Sequence, residues 1–258
     1  EIAEISVMND TDITDVTMLY PGFREKAITF SYDDWIPAED AKFIGMLDDN
    51  GLKGTFNIVT SFLYSNGTID TNAVQRTKNI YKNHEVISHS YTHPRMYLVR
   101  PETFDGVITN PLTYDQVVAD IRQSMTDMKT MFGTDCQGFV WPYLDPVERS
   151  DYNDILTAMK EMGIKYVRPT TERHDFKLPE NWYEWKTTCH HDNIDLYLDK
   201  FLALPEDGEL DLMFVWGHTR EFNASYQPDA TNKIRWDDME KRLEKIGARD
   251  DVWAATNT

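Results

Sequence analysis

Short runs of β-branched and aromatic residues alternate with segments of helical period along the whole chain, and this alternation narrows the fold more than any other feature. The strand-like runs are Ala27–Phe30, Thr55–Val59, Val86–Ser88, Phe139–Trp141, Tyr166–Val167, Leu212–Val215 and Val252–Ala254. Between them lie well-signalled helices. Pro37 opens one that carries Phe43, Ile44 and Leu47 and stops at Gly51. Thr113 and Gln116 form a capping-box pattern ahead of Val117, Ile121, Met125, Met128 and Phe132, with Gly133 as the stop. Asp151 precedes Ile155, Met159 and Met162, and Trp236, Met239, Leu243 and Ile246 mark the last helix. Strands separated by helices predict a parallel sheet covered by helices. With seven such strands in 258 residues, the expectation is an α/β fold in one domain spanning residues 1–258, a closed or nearly closed TIM-like barrel. Functional side chains in such a barrel belong at the C-terminal ends of its strands.

The net charge of −18 repels nucleic acid and anionic lipid, leaving neutral or cationic partners. No apolar run approaches the roughly 18–20 residues of a membrane span. Cys136 and Cys189 are the only cysteines, too few for a disulfide scaffold. The chain begins at Glu1 rather than Met, as a processed or trimmed N-terminus would.

Four strand ends carry polar side chains. Asp33 and Asp34 follow the first strand. His89 and His93 follow the third, "WPYLDP" follows the fourth, and His218 ends the sixth. The two histidines stand four apart, so one helical turn would bring both rings to one face. Imidazole suits zinc and similar divalent ions, and a carboxylate completes a three-ligand site with open positions. On this reading one aspartate ligates the cation, while the other takes a proton from the metal-activated water. An N-cap for the helix after Pro37 would account for one aspartate but not for two. His218, after the apolar run "LDLMFVW", is either a hydrogen-bonded core histidine or a general acid.

These residues, in this order, resemble the polysaccharide deacetylases, the carbohydrate esterase group built on the NodB-homology domain (carbohydrate esterase family 4-like). "TFSYDDW" is similar to their Thr-Phe-Asp-Asp-Gly motif with a Ser-Tyr insertion, "GLKGTFNIV" to their second-strand segment, and "NHEVISHSYTHP" to their histidine block. The landmarks run from about Ala27 to His218. The resemblance implies a distorted barrel of about seven β/α units. It implies Asp33 as general base and Asp34, His89 and His93 as ligands of a divalent metal, most often Zn2+. Tyr143 would lend its backbone N–H to the oxyanion, and His218 would act as acid. It further implies a secreted, periplasmic or cell-surface hydrolase that removes N- or O-linked acetyl groups from an oligo- or polysaccharide.

The chain departs from the pattern in several places. No arginine precedes Pro142 where the family places the residue that tethers its base. Trp35 replaces the motif glycine, and Val215 replaces a leucine of the acetyl pocket. "DNIDL" resembles the family's Asp-x-x-Asp-Trp segment and makes Asp192 the expected partner of His218, with His190 and His191 as competitors. Trp35, Trp141 and Trp216 flank the site as expected sugar-stacking surfaces, although Trp141 and Trp216 also fit a core role. Two other readings remain: a hydrolase of a small non-sugar amide on the same scaffold, and a glycan-binding protein with a weakened active site.

Overall fold

The computed structural model describes residues 5–6, 17–133 and 135–258. An eight-stranded sheet forms its centre. We number the strands β1 (Lys26–Asp33), β2 (Thr55–Ile58), β3 (Glu85–Ser88), β4 (Gly138–Val140), β5 (Tyr166–Arg168), β6 (Cys189–His190), β7 (Asp211–Gly217) and β8 (Val252–Ala255). Their order is β5-β4-β3-β2-β1-β7-β6, with β8 also paired to β1, and every pairing is parallel. β7 runs along one edge of β1 from Lys26 to Tyr32. The other edge is shared: β8 takes Lys26–Thr29 and β2 takes Ser31–Asp33. The segment between β5 and β6 links β5 to β7, because Trp185 N–H donates to Val167 O (3.0 Å) and Thr188 N–H donates to Phe214 O (2.7 Å). The result is the curled, nearly closed barrel expected from the strand–helix alternation. All seven expected strands are present; β6, two residues long, has no periodicity to announce it.

All eight residues of β1 are buried, as befits a strand covered on both faces. Its period of two decides which side chains meet which layer. Ile28, Phe30 and Tyr32 pack outward against Phe43 and Leu47 of α1 (Pro37–Asp49) and Met239, Leu243 and Ile246 of α6 (Trp236–Gly247). Each such side chain contributes about 1.5–3 kcal/mol relative to exposure. Ala27, Thr29, Ser31 and Asp33 point the other way, which places the Asp33 carboxylate inside the barrel mouth.

The remaining helices are α2 (Thr71–Ile80), α3 (Tyr114–Phe132), α4 (Tyr152–Glu161) and the short α5 (Leu198–Leu202). The capping box of Thr113 and Gln116 is formed, and Gly133 ends α3 in the left-handed region. Asp151 stands at the N-cap of α4, but Arg149 holds its carboxylate instead (2.8 and 2.7 Å). The N-cap of α1 is Ile36, so neither Asp33 nor Asp34 caps it; the Ile36 N–H donates to Asp40 Oδ2 at 2.8 Å. Cys136 and Cys189 are buried and unpaired.

Candidate active site

The C-terminal ends of β1, β3, β4 and β7 converge on a cleft of about 560 Å³. Five non-glycine residues around it adopt positive φ: Asp34 (83°), Trp35 (56°), Ser90 (73°), His93 (55°) and Tyr143 (60°). Such conformations cost roughly 1–3 kcal/mol each and persist where surrounding structure enforces them, often at functional sites. His89 and His93 do not lie on a helical turn, as their spacing had led us to expect. The strained loop after β3 brings their Nε2 atoms to 3.1 Å instead.

Three donor atoms form a compact triangle. Asp34 Oδ1 is 3.5 Å from His89 Nε2 and 3.3 Å from His93 Nε2. Nitrogen and oxygen ligands about 2.0–2.1 Å from a tetrahedral ion stand about 3.3 Å from one another, so these residues fit a divalent cation. Asp34 Oδ1 is buried and accepts no hydrogen bond, which is costly for a carboxylate oxygen with no ligand. His89 Nδ1 lies 3.0 Å from Val140 O. A carbonyl only accepts, so Nδ1 carries the proton and Nε2 presents its lone pair to the triangle. Burial and the adjacent His89 push His93 down to about 4, which leaves His93 neutral at pH 7. Burial alone would raise the Asp34 carboxyl, but His89, His218 and Arg220 hold it well below the usual carboxylate range.

Asp33 is held differently. Arg168 Nη2 contacts both of its oxygens (2.5 and 2.6 Å), and Asn57 Nδ2 donates to Oδ1 at 2.5 Å. Both members of the ion pair are buried. Burial opposes ionisation of Asp33, and Arg168, followed by His89 and His218, outweighs it and lowers the carboxyl. A guanidinium thus reaches Asp33 from β5 rather than from the segment before Pro142. Val140, at the family's arginine position, is the direct register partner of Arg168 on the neighbouring strand. The guanidinium enters the barrel at the same level, one strand to the side. Sequence reasoning missed Arg168 because it looked for the tether along the chain rather than across the sheet.

His218 follows β7, with Nε2 3.5 Å from Asp34 Oδ2 and Nδ1 3.3 Å from Glu221 Oε1. Asp192, expected beside it, lies elsewhere. Its carboxylate is taken by Lys233 Nζ (2.6 Å), Ile234 N–H (3.0 Å) and His190. Glu221 is the carboxylate that faces His218, delivered by a 3-10 turn over Thr219–Phe222. The spacing His-x-x-Glu at the end of an apolar strand was the available signal. His190 sits between Glu221 Oε2 (2.8 Å) and Asp192 Oδ2 (3.4 Å). Although burial disfavours its charge, these two carboxylates raise it to about 9. This cluster is therefore a network of two carboxylates closing on His190. His191 is fully buried and neutral, stacked between Tyr32 and Phe222, where Gly217 leaves no room for a Cβ.

Among the aromatics, Trp35 lines the cleft and anchors its Nε1 on Thr77 (3.0 Å), and Trp216 does the same on Glu172 (3.0 Å). Trp141 is fully buried against Phe139 and Ile155, so it forms the floor of the cleft rather than a surface for stacking. Phe62, from the turn after β2 and 51% exposed, lines the cleft without having been expected there. Tyr143, 41% exposed, packs edge-on against His93, and its backbone N–H has no partner among the described residues.

The sequence profile of polysaccharide deacetylases matches residues 21–167. The chain belongs to this family. Among solved structures it is similar to a family 4 carbohydrate esterase from Streptomyces lividans in complex with acetate (TM-score 0.52, 14% identity, covering 91% of this chain and 94% of that one). It is also similar to the peptidoglycan deacetylase PdaC from Bacillus subtilis (TM-score 0.50, 16% identity, 90% and 88% covered). A third similar structure is a CE4 family pseudoenzyme from Bacillus anthracis (TM-score 0.51, 14% identity, 91% and 68% covered). At these identities the structural likeness establishes the fold: the family's distorted barrel. No curated protein matches the chain.

Proposed function

We propose that this polysaccharide deacetylase family member is a metal-dependent hydrolase that removes acetyl groups from an acetylated glycan. The observation that carries the reading is the triangle of Asp34 Oδ1, His89 Nε2 and His93 Nε2 beside a second carboxylate, Asp33, that is barred from it by its own tether. A divalent cation, which Asp34, His89 and His93 would hold, would supply Lewis-acid polarisation of the acyl carbonyl and of the attacking water.

The protein's own groups then divide the work. Asp33, kept ionised by Arg168 and Asn57, accepts a proton from the water as it attacks the acetyl carbon. The Tyr143 N–H donates to the developing oxyanion. His218, steadied by Glu221, protonates the departing amine or alcohol, and the C–N or C–O bond breaks to release acetate. Trp35, Phe62 and Trp216 provide apolar faces for sugar rings. Asp192 acts at one remove, through His190 and Glu221. One similar structure is named a peptidoglycan deacetylase, and peptidoglycan lies outside the cytoplasm; we assign this chain to the same setting. The glycan-binding alternative drew its main support from a missing arginine, which Arg168 removes. The reading of a small non-sugar amide as substrate has no comparable observation in its favour.

The test is acetate release from a panel of N- and O-acetylated oligosaccharides, with and without chelator. Release that stops on chelation and returns with Zn2+ is the expected result, and Asp33→Asn should lower it roughly 10²–10⁴-fold while still binding metal. Glycan binding without acetate release, in metal-loaded wild-type protein, would overturn the reading.

A further inference from the structure

The two oxygens of Asp34 have different neighbours. Oδ1 faces the two imidazoles of the donor triangle and takes no hydrogen bond. Oδ2 points away from them, towards the Arg220 guanidinium, with which it pairs, and His218 Nε2 at 3.5 Å. Arg220 belongs to the 3-10 turn that follows β7. That turn is fastened on both sides of it: Thr219 Oγ1 donates to the buried Asp40 at 2.5 Å, and Phe222 is buried against Phe43. The guanidinium therefore arrives from a fixed backbone, although its side chain is 36% exposed to the cleft.

We infer that Arg220 is a positioning residue that restricts Asp34 to coordination through one oxygen. The inference rests on the metal site proposed above. A carboxylate beside a cation can bind through one oxygen or chelate through both. Chelation requires an in-plane rotation of the carboxylate so that Oδ2 also faces the ion. A charge-assisted hydrogen bond from a guanidinium to Oδ2 opposes that rotation. The cation then has three protein donors and keeps open positions for water and the acyl oxygen, as a catalytic site requires. A rival account makes Arg220 a stand-in for the cation, which leaves when the ion arrives. That account calls for the guanidinium to sit within the triangle on Oδ1, whereas it occupies the opposite oxygen.

The experiment is cobalt(II) binding, followed by visible absorption and by competition with a chelator, in wild type, Arg220→Met and Arg220→Lys. The wild type should bind one Co2+ per chain with the strong absorption of a four-coordinate ion. Arg220→Met should bind roughly 10–100-fold more weakly, the range seen when a ligand's hydrogen-bond partner is lost. Its spectrum should also weaken, as Asp34 chelates and the coordination number rises. Arg220→Lys should recover part of both, and its far-ultraviolet dichroism and that of the Met variant should match wild type. Unchanged affinity and spectrum in Arg220→Met would overturn the role of Arg220 and leave the proposed function standing. Tighter binding in that variant would favour the stand-in account and overturn it equally. Failure of the wild type to bind Co2+ or Zn2+ at all would overturn the metal-dependent function and this inference together.

Discussion

The two ends of the barrel both bury polar side chains, yet they do so in opposite styles. At the lower end most of the groups answer one another, Asn257 Nδ2 and the Tyr166 hydroxyl being buried exceptions. Thr55 Oγ1 donates to Glu85 Oε2 (2.8 Å), the Asn257 N–H reaches both Thr55 Oγ1 (3.0 Å) and Glu85 Oε2 (2.9 Å), and Thr29 Oγ1 pairs with Asn257 Oδ1 (2.8 Å). At the upper end, Asp34 Oδ1 and two Arg168 nitrogens are buried without a hydrogen-bond partner. The five positive-φ residues of the cleft belong to that end as well. Hydrogen bonds completed within the chain fasten the strands. Unfilled valences and strained backbone at the mouth are what a binding and reacting centre requires, since a buried unpaired polar group costs about 1–3 kcal/mol unless something meets it.

This contrast can be broken by substitution. The largest effect should come from Arg168→Met, which leaves Asp33 as a buried charge with no counter-ion. Breaking such a pair costs about 3–5 kcal/mol, readable as a lower urea midpoint, and acetate release should fall as well. A variant as stable and active as wild type would show that the ion pair is dispensable to both. An intermediate effect should appear with pH at His190. Its folded value is raised to about 9, against about 6.5 unfolded. The stability it contributes is therefore complete below about pH 6.5 and is lost as pH climbs to about 9. The thermal midpoint should decline across that window in wild type and less steeply in His190→Gln. Equal slopes would rule out His190 as the source. The smallest effect belongs to the lower end. Thr29→Val leaves Asn257 Oδ1 unanswered and should cost about 1–3 kcal/mol, with acetate release within twofold of wild type. A marked fall in activity with stability intact would dissolve the distinction between the ends.

Sequence reading succeeded where physics acts locally. Apolar periodicity marked the strands, and stop residues such as Gly133 marked helix ends, because each depends on a few neighbouring residues. The positions of Asp33, Asp34, His89, His93 and His218 at the mouth were legible for a related reason: strand direction alone sends them there. What escaped was lateral. Arg168 acts across a strand pairing, Glu221 acts through the curl of a 3-10 turn, and the convergence of His89 and His93 depends on the left-handed turns at Ser90 and His93. None of these leaves a period in the chain. The misplacement of Asp192 has the same origin, since a matching segment identifies a carboxylate but not the direction in which it points.

The family profile ends at residue 167, and the guanidinium that steadies Asp33 stands at 168. A comparison made letter by letter would record this chain as lacking a part at Val140, although a guanidinium reaches Asp33 from the strand next door. Residues that are register partners on adjoining strands are interchangeable suppliers of a single spot in space. Inactivity inferred from a vacant motif letter is therefore unsafe in barrels of this kind until the adjacent strand has been checked. The same freedom offers a route for design, in which a tether is moved sideways to release its old position for a new side chain.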